Sequence, residues 1–182
     1  DMSSVRSVLS LLLTTAFLLT GHGIHMTFLP LMASDIGLSQ TVIGISGSAY
    51  FAGFISGAMV TPHIIAKVGH IRSFTTLMAV FLCCFQVLPM TDSSVMWILV
   101  RFLLGAVMCG AYTVVESWLS DQADASTHGR VLGIYTLVVL GAMALGQGLL
   151  SMTYGEAAQV FALISMLTVS YTHLTLPTIN WV

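Results

Sequence analysis

Long apolar runs separated by short polar clusters dominate the chain. A spanning helix needs roughly 20 mainly apolar residues. Runs of that kind lie at Val8–Leu31, Thr41–Ala66, Ser73–Met90, Val95–Leu119 and Val131–Met152. A sixth begins near Ala157 and is interrupted after Thr168. The clusters Ser34–Gln40, Thr91–Ser94 and Ser120–His128 part the runs cleanly. The pattern predicts an all-α integral membrane protein with six transmembrane helices threaded by tight loops. The first run resembles a signal peptide for a few residues after Arg6. It then continues past Phe17 to Leu31 without a small-residue cleavage site, as a retained span does.

Composition narrows the class further. Only 7% of the 182 residues are charged and 57% are hydrophobic, with a mean hydropathy of +0.97. Soluble domains carry about 25% charged residues, so this chain cannot cover a water-facing surface in the usual way. A net charge of −2 with five Lys and Arg residues leaves no phosphate-binding track, which sets nucleic acid aside as a partner. Cys83, Cys84 and Cys109 fall in apolar runs without CxxC spacing and read as small buried hydrophobes.

The basic residues predict an orientation. With five crossings placed, Arg6, Lys67, Arg72 and Arg130 fall on one side, while the opposite loops carry Asp35, Asp92 and Glu156 and no Lys or Arg. The N-terminus and the even-numbered loops are therefore expected in the cytoplasm. Small residues predict where helices touch, because they let backbones approach closely in lipid. Ala49, Gly53 and Gly57 stack four apart on the second span; Gly133, Gly141, Ala144 and Gly148 form a similar stripe on the fifth. Packing roles are assigned to Gly53, Gly57, Gly105 and Gly141.

Against this apolar background the ionisable positions stand out. Arg101 lies about six residues, roughly 9 Å, inside the outer end of the fourth span. It shares a three-or-four-residue stripe with Gly105, Cys109, Tyr112 and Glu116. Such a face points to a bundle interior or a water-filled cavity, and an intramembrane charge marks a functional candidate. Snorkelling of Arg101 to the outer headgroups is the competing account. Glu116 follows fifteen residues later, about 22 Å along the helix, too far to pair with Arg101. It belongs near the cytoplasmic mouth, within reach of Arg130, Lys67 or Arg72. His22 and His25 lie one turn apart in the first span, where either could relay a proton or hydrogen-bond a neighbouring helix. Pro30 is expected to bend that helix near its outer end. Gln147 is a neutral hydrogen-bonding candidate for the cavity. The sequence shows no nucleophile–base constellation, phosphate loop or metal cluster. No catalytic residue, cofactor or metal is assigned, and an enzyme is disfavoured.

Several stretches carry a family resemblance. "PHIIAKVGHIRSF" (Pro62 to Phe74) resembles the second-loop motif of the major facilitator superfamily. Lys67, Gly69, His70 and Arg72 fall on its basic and glycine positions, whereas Pro62 replaces its leading glycine and Ala66 its acidic residue. "RFLLGAVMCGA" (Arg101 to Ala111) is similar to the fourth-helix motif, and "ESWLSDQADASTHGR" (Glu116 to Arg130) to the link between the fourth and fifth helices. "GAMALGQ" (Gly141 to Gln147) resembles a fifth-helix glycine motif without the proline of drug/proton antiporters. Their order and spacing look most like the YcaD-type branch of bacterial permeases.

The resemblance implies the N-terminal six-helix half of a transporter, built as two three-helix repeats, over residues 1–168. It implies alternating access around a cavity lined by spans one, two, four and five, a small-molecule substrate and coupling to a proton or sodium gradient. The partners are the bilayer of the bacterial inner membrane and a missing C-terminal half of the same protein. Arg101, His22, His25, Tyr112 and Gln147 become candidates for substrate contact or coupling. Lys67, Gly69, His70, Arg72, Glu116 and Arg130 become candidates for a cytoplasmic gate. A self-contained six-helix channel that dimerises and a non-transporting membrane scaffold remain the alternatives. The tail 169–182 is expected to be foreign, because "VSYTHL" back-translates to a transposon end used in sequencing libraries. Since the chain starts with Asp1, either Met2 is the true start or the N-terminus is incomplete.

Overall fold

The computed structural model describes residues 2–122, 127–153, 159–160 and 162–167. Its helices are α1 (Met2–Asp35), α2 (Gln40–Val68), α3 (His70–Val87), α4 (Ser94–Gln122) and α5 (His128–Thr153). A single 3-10 turn, Leu88–Met90, follows α3. Among the described residues five helices are long and apolar enough to cross a membrane. The sixth run is helical over 162–167; the rest of it and the tail 169–182 lie outside the described residues, as do 123–126 and Glu156.

The helices are longer than the apolar runs that announce them. α1 continues through Pro30 to Asp35, and α2 through Pro62 to Val68. Proline removes one backbone donor and crowds the preceding turn. In a membrane helix the loss is tolerated because the flanking backbone bonds and neighbouring helices hold the segment. As a result the second connection is a single residue. Gly69 has φ +82° and donates its N–H to the Ile65 carbonyl at 2.8 Å, closing α2. Its own carbonyl accepts from the Ser73 hydroxyl at 2.7 Å, opening α3. A left-handed φ of this kind is cheap only for glycine.

The first connection uses the same device. Gly37 (φ +84°) ends α1 with Leu38 N–H donating to the Ala33 carbonyl at 3.0 Å, a Schellman-type stop. Ser39 then caps α2 by accepting from the Val42 N–H. The third connection is pinned by the Trp97 indole, which donates to the Thr91 carbonyl at 3.0 Å.

The described residues form two compact groups, one of Pro30–Glu116 and one of those before residue 30 with those after 116. In the first, α2, α3 and α4 converge on glycines. A Cβ on Gly53 would meet the Phe102 carbonyl, one on Gly57 the Ala106 carbonyl, and one on Gly105 the Tyr50 carbonyl. A Cβ on Gly110 would lie 2.9 Å from both Leu77 of α3 and Thr61 of α2. In the second group α1 packs on α5. A Cβ on Gly23 would lie 2.5 Å from the Met143 carbonyl, and one on Gly146 would meet the Thr20 carbonyl. Gly21 faces Leu167 of the short stretch at 4.0 Å. Lipid offers apolar helices little reason to associate, so backbone proximity supplies the dispersion contacts that hold them together.

Burial separates the helices. In the most apolar window of each span, 61% of α1 and of α4 is buried, against 22% of α2 and 17% of α5. The glycine stripe expected to pack on α5 meets no described residue. Gly141 is exposed, and no heavy atom of a described residue lies within 4 Å of a Cβ built there. Gly133 and Gly148 are equally open. Within the described residues α5 instead packs through Gly146: helical phase carries Gly146 to the face that meets α1 and leaves Gly141 facing outward.

Candidate functional site

On α2 the buried positions are Ser46, Tyr50, Gly53, Gly57 and Thr61, three or four apart and therefore on one face. That face meets α4. Because Gly53 and Gly105 carry no Cβ, the two backbones close up, and the larger side chains beside them are forced into contact. Arg101 lies one turn before Gly105 and is 3% exposed. Its guanidinium sits over the Tyr50 ring, 4.9 Å from the centroid, and Tyr50 is itself 1% exposed.

Magnitudes show what this contact achieves. An arginine at the very centre of a spanning helix costs about 2.5–3.5 kcal/mol on insertion scales, an upper bound for Arg101 about 9 Å inside the outer end. A desolvated cation–π contact returns about 2 kcal/mol. The cation–π contact offsets part of the penalty without using the guanidinium's hydrogen-bond donors. Nη1 is buried with no hydrogen-bond partner among the described residues. Snorkelling would leave the head in water; at 3% exposure Arg101 is not doing that in this structure.

Further along the seam, Phe54 meets Tyr112 with ring centroids 6.2 Å apart, and Tyr50 lies 6.4 Å from Phe54. The stripe on α4 thus grades from buried Arg101, Gly105 and Cys109 through half-buried Tyr112 to exposed Glu116. By alternation of the helices, Glu116 lies at the same end of its group as the α2–α3 connection. There Lys67 and Arg72 are exposed and His70 is half-buried, all on helix ends flanking Gly69. Arg130 is exposed in the first turn of α5.

In the other group, His22 and His25 are both buried on α1 and their rings stack at 5.0 Å with an interplanar angle of 27°. The Nδ1 of His25 lies 3.1 Å from the His22 carbonyl. A carbonyl only accepts, so Nδ1 carries the proton in this arrangement. Gly23, between the two, is the residue that admits the α5 backbone. Gln147 is exposed, one residue beyond the packing glycine of α5.

The structure brings Arg101 and Tyr112 onto one seam and His22 with His25 onto one turn. The most informative residue that sequence reading passed over is Tyr50. Its signal was present, since it extends the Gly53–Gly57 stripe by one turn towards the N-terminus. Cys84 and Cys109 are buried in the protein, whereas Cys83 faces outward from the same apolar span as Cys84; all three thiols are free. Cys83 is displaced because its neighbour Cys84 takes the inward phase of α3. Among the described residues no group of three His, Cys, Asp or Glu side chains could hold a metal ion.

Comparison with known proteins adds a family. Residues 11–177 match the family model of the Major Facilitator Superfamily. The chain is also 28% identical over 170 residues to an uncharacterised MFS-type transporter, YcaD, of Escherichia coli O9:H4 strain HS. The corresponding protein of Escherichia coli strain SMS-3-5 gives the same identity. The alignment covers 93% of this chain and 44% of each relative. The chain thus spans about half the length of the curated relatives it matches.

Proposed function

This chain belongs to the Major Facilitator Superfamily and is a multi-pass membrane protein; on that premise we propose that it supplies the N-terminal six-helix half, residues 1–168, of a secondary transporter. The parent protein moves a small solute across the bacterial inner membrane by alternating access, with a proton or sodium gradient as the driving force. Its N-terminus lies in the cytoplasm, and a second half of similar size completes the cavity. The tail 169–182 lies outside this unit.

In this reading α4 presents Arg101 and Tyr112 to the transport path, while His22 and His25 on α1 and Gln147 on α5 contribute hydrogen bonds or a proton step. Lys67, Gly69, His70, Arg72, Glu116 and Arg130 form the cytoplasmic gate. Exposed charges at the ends of α2, α3, α4 and α5 suit a latch that is made and broken in water, where each ion pair is worth about 0–1 kcal/mol and opens readily.

The observation that carries the proposal is Arg101. A cation kept in an apolar helix, buried and only partly compensated, is costly unless it performs a task. The test is uptake by the full-length protein in proteoliposomes under an imposed proton or sodium gradient, using labelled organic acids, amino acids and sugars. Gradient-dependent uptake of at least one solute is expected, falling about tenfold or more with Arg101→Ala. Uptake indifferent to that change would remove Arg101 from the path, and an absence of flux under every gradient would favour a scaffold.

A further inference from the structure

We propose that Arg101 docks one anionic group of the transported solute, a carboxylate carried on an apolar or aromatic body. The inference rests on the reading of Arg101 as facing the transport path and adds to it the chemistry of what binds.

Arg101 is the one Lys or Arg placed well inside a helix; Lys67, Arg72 and Arg130 stand at helix ends and Arg6 in the opening turns of α1. The carboxylates of the described residues do not neutralise it. Asp35, Asp92 and Asp121 lie at helix ends or in a connection, and Glu116 is fifteen residues along the same helix, about 22 Å away. What holds the guanidinium is the Tyr50 ring, 4.9 Å from Cζ to the ring centroid. The N–H edge is left for another group, and Nη1 is a buried donor with no hydrogen-bond partner among the described residues. A carboxylate is the group whose two oxygens match that edge, accepting two parallel N–H bonds. One cation in the seam matches one negative charge. Beside it the Tyr50, Phe54 and Tyr112 rings follow one another at 6.4 and 6.2 Å, an aromatic lane suited to an apolar body rather than a sugar or a polyol.

The same carboxylate chemistry could come from a side chain elsewhere in the full-length protein. Thermal unfolding of the purified full-length protein separates the two sources, because a ligand that binds only the folded state raises Tm in proportion to its occupancy. The probes are benzoate, phenylacetate and hexanoate, each beside its uncharged amide. At least one carboxylate should raise Tm saturably while its amide does not. Arg101→Met should weaken that carboxylate about tenfold to a hundredfold, and Arg101→Lys less. Should Arg101→Met fail to fold, Tyr50→Leu keeps the cation and should weaken the same probe about three- to tenfold.

Equal shifts by acid and amide, or a carboxylate shift that survives Arg101→Met, would overturn the proposal. So would a wild-type protein indifferent to all three acids whose Arg101→Met variant unfolds, the signature of an internal carboxylate partner. Failure of the transport reading looks different. Arg101-dependent uptake of an uncharged solute would keep the transporter and remove the anion site. Carboxylate binding without flux in proteoliposomes would keep the site and remove the transporter.

Discussion

Between α2 and α4, Gly53 and Gly105 draw two backbones together beside a guanidinium; between α1 and α5, Gly23 and Gly146 do the same beside two imidazoles. If the chain is two three-helix repeats, α1 corresponds to α4 and α2 to α5, so these seams are equivalent places in the two repeats. The shared part is geometry. In each seam a missing Cβ lets a carbonyl of the partner helix approach, because lipid rewards close packing and little else. The divergent part is chemistry. Arginine keeps its charge at any working pH, whereas a histidine can exchange a proton near neutrality. Two protonated imidazoles 5.0 Å apart would repel by about 3 kcal/mol at an effective dielectric of 20. The two seams thus differ in the side chains they carry, imidazoles on α1 and a guanidinium on α4.

The comparison can be broken most forcefully at its glycines. Gly53→Val and Gly105→Val each place a side chain against partner backbone, and should lower the stability of the full-length protein by about 3 kcal/mol. The measurement is thermal unfolding with a monodispersity check. Gly146→Val should cost nearly as much, since its Cβ would meet the Thr20 carbonyl; a tolerated Gly146→Val would end the equivalence of the seams. At the α2–α3 connection, Gly69→Ala should cost about 1–3 kcal/mol, because φ +82° with ψ 169° is a backbone region essentially reserved for glycine, and Gly69→Asn should cost as much. Tyr50→Leu removes the ring beneath Arg101 and should cost about 0.5–2 kcal/mol. Gly141→Ala should change stability by less than about 0.5 kcal/mol, because nothing described lies near it. A large effect there would mean that a surface outside this chain uses the stripe.

Much of this architecture is legible in the residues, and the reasons are physical. Five of the six expected spans are present among the described residues, following apolar run length, which the bilayer sets, and the polar cluster Ser34–Gln40 marks the first connection. Helix ends are less legible. The apolar runs stop at Leu31 and Ala66, yet the helices continue to Asp35 and Val68, because the backbone keeps its internal hydrogen bonds into the interface. Glycine spacing alone also misleads: Gly133, Gly141 and Gly148 form as tidy a stripe as Gly53 and Gly57, but phase against a partner decides which face packs. For the site, Arg101 and the His22–His25 pair were conspicuous as polar residues in apolar runs. Tyr50 was not, since one aromatic in a hydrophobic helix carries no marker until the glycines beside it show which way it faces.

The central claim is that the Arg101 face of α4 lines a water-filled transport path. The most direct measurement is thiol accessibility at that position, using Arg101→Cys in a full-length protein stripped of its other cysteines. In sealed vesicles, a charged, membrane-impermeant thiosulfonate should label it from one side, and an imposed ion gradient should change the rate severalfold. Labelling by a lipid-soluble maleimide alone, with no reaction to the charged reagent under any gradient, would contradict the account.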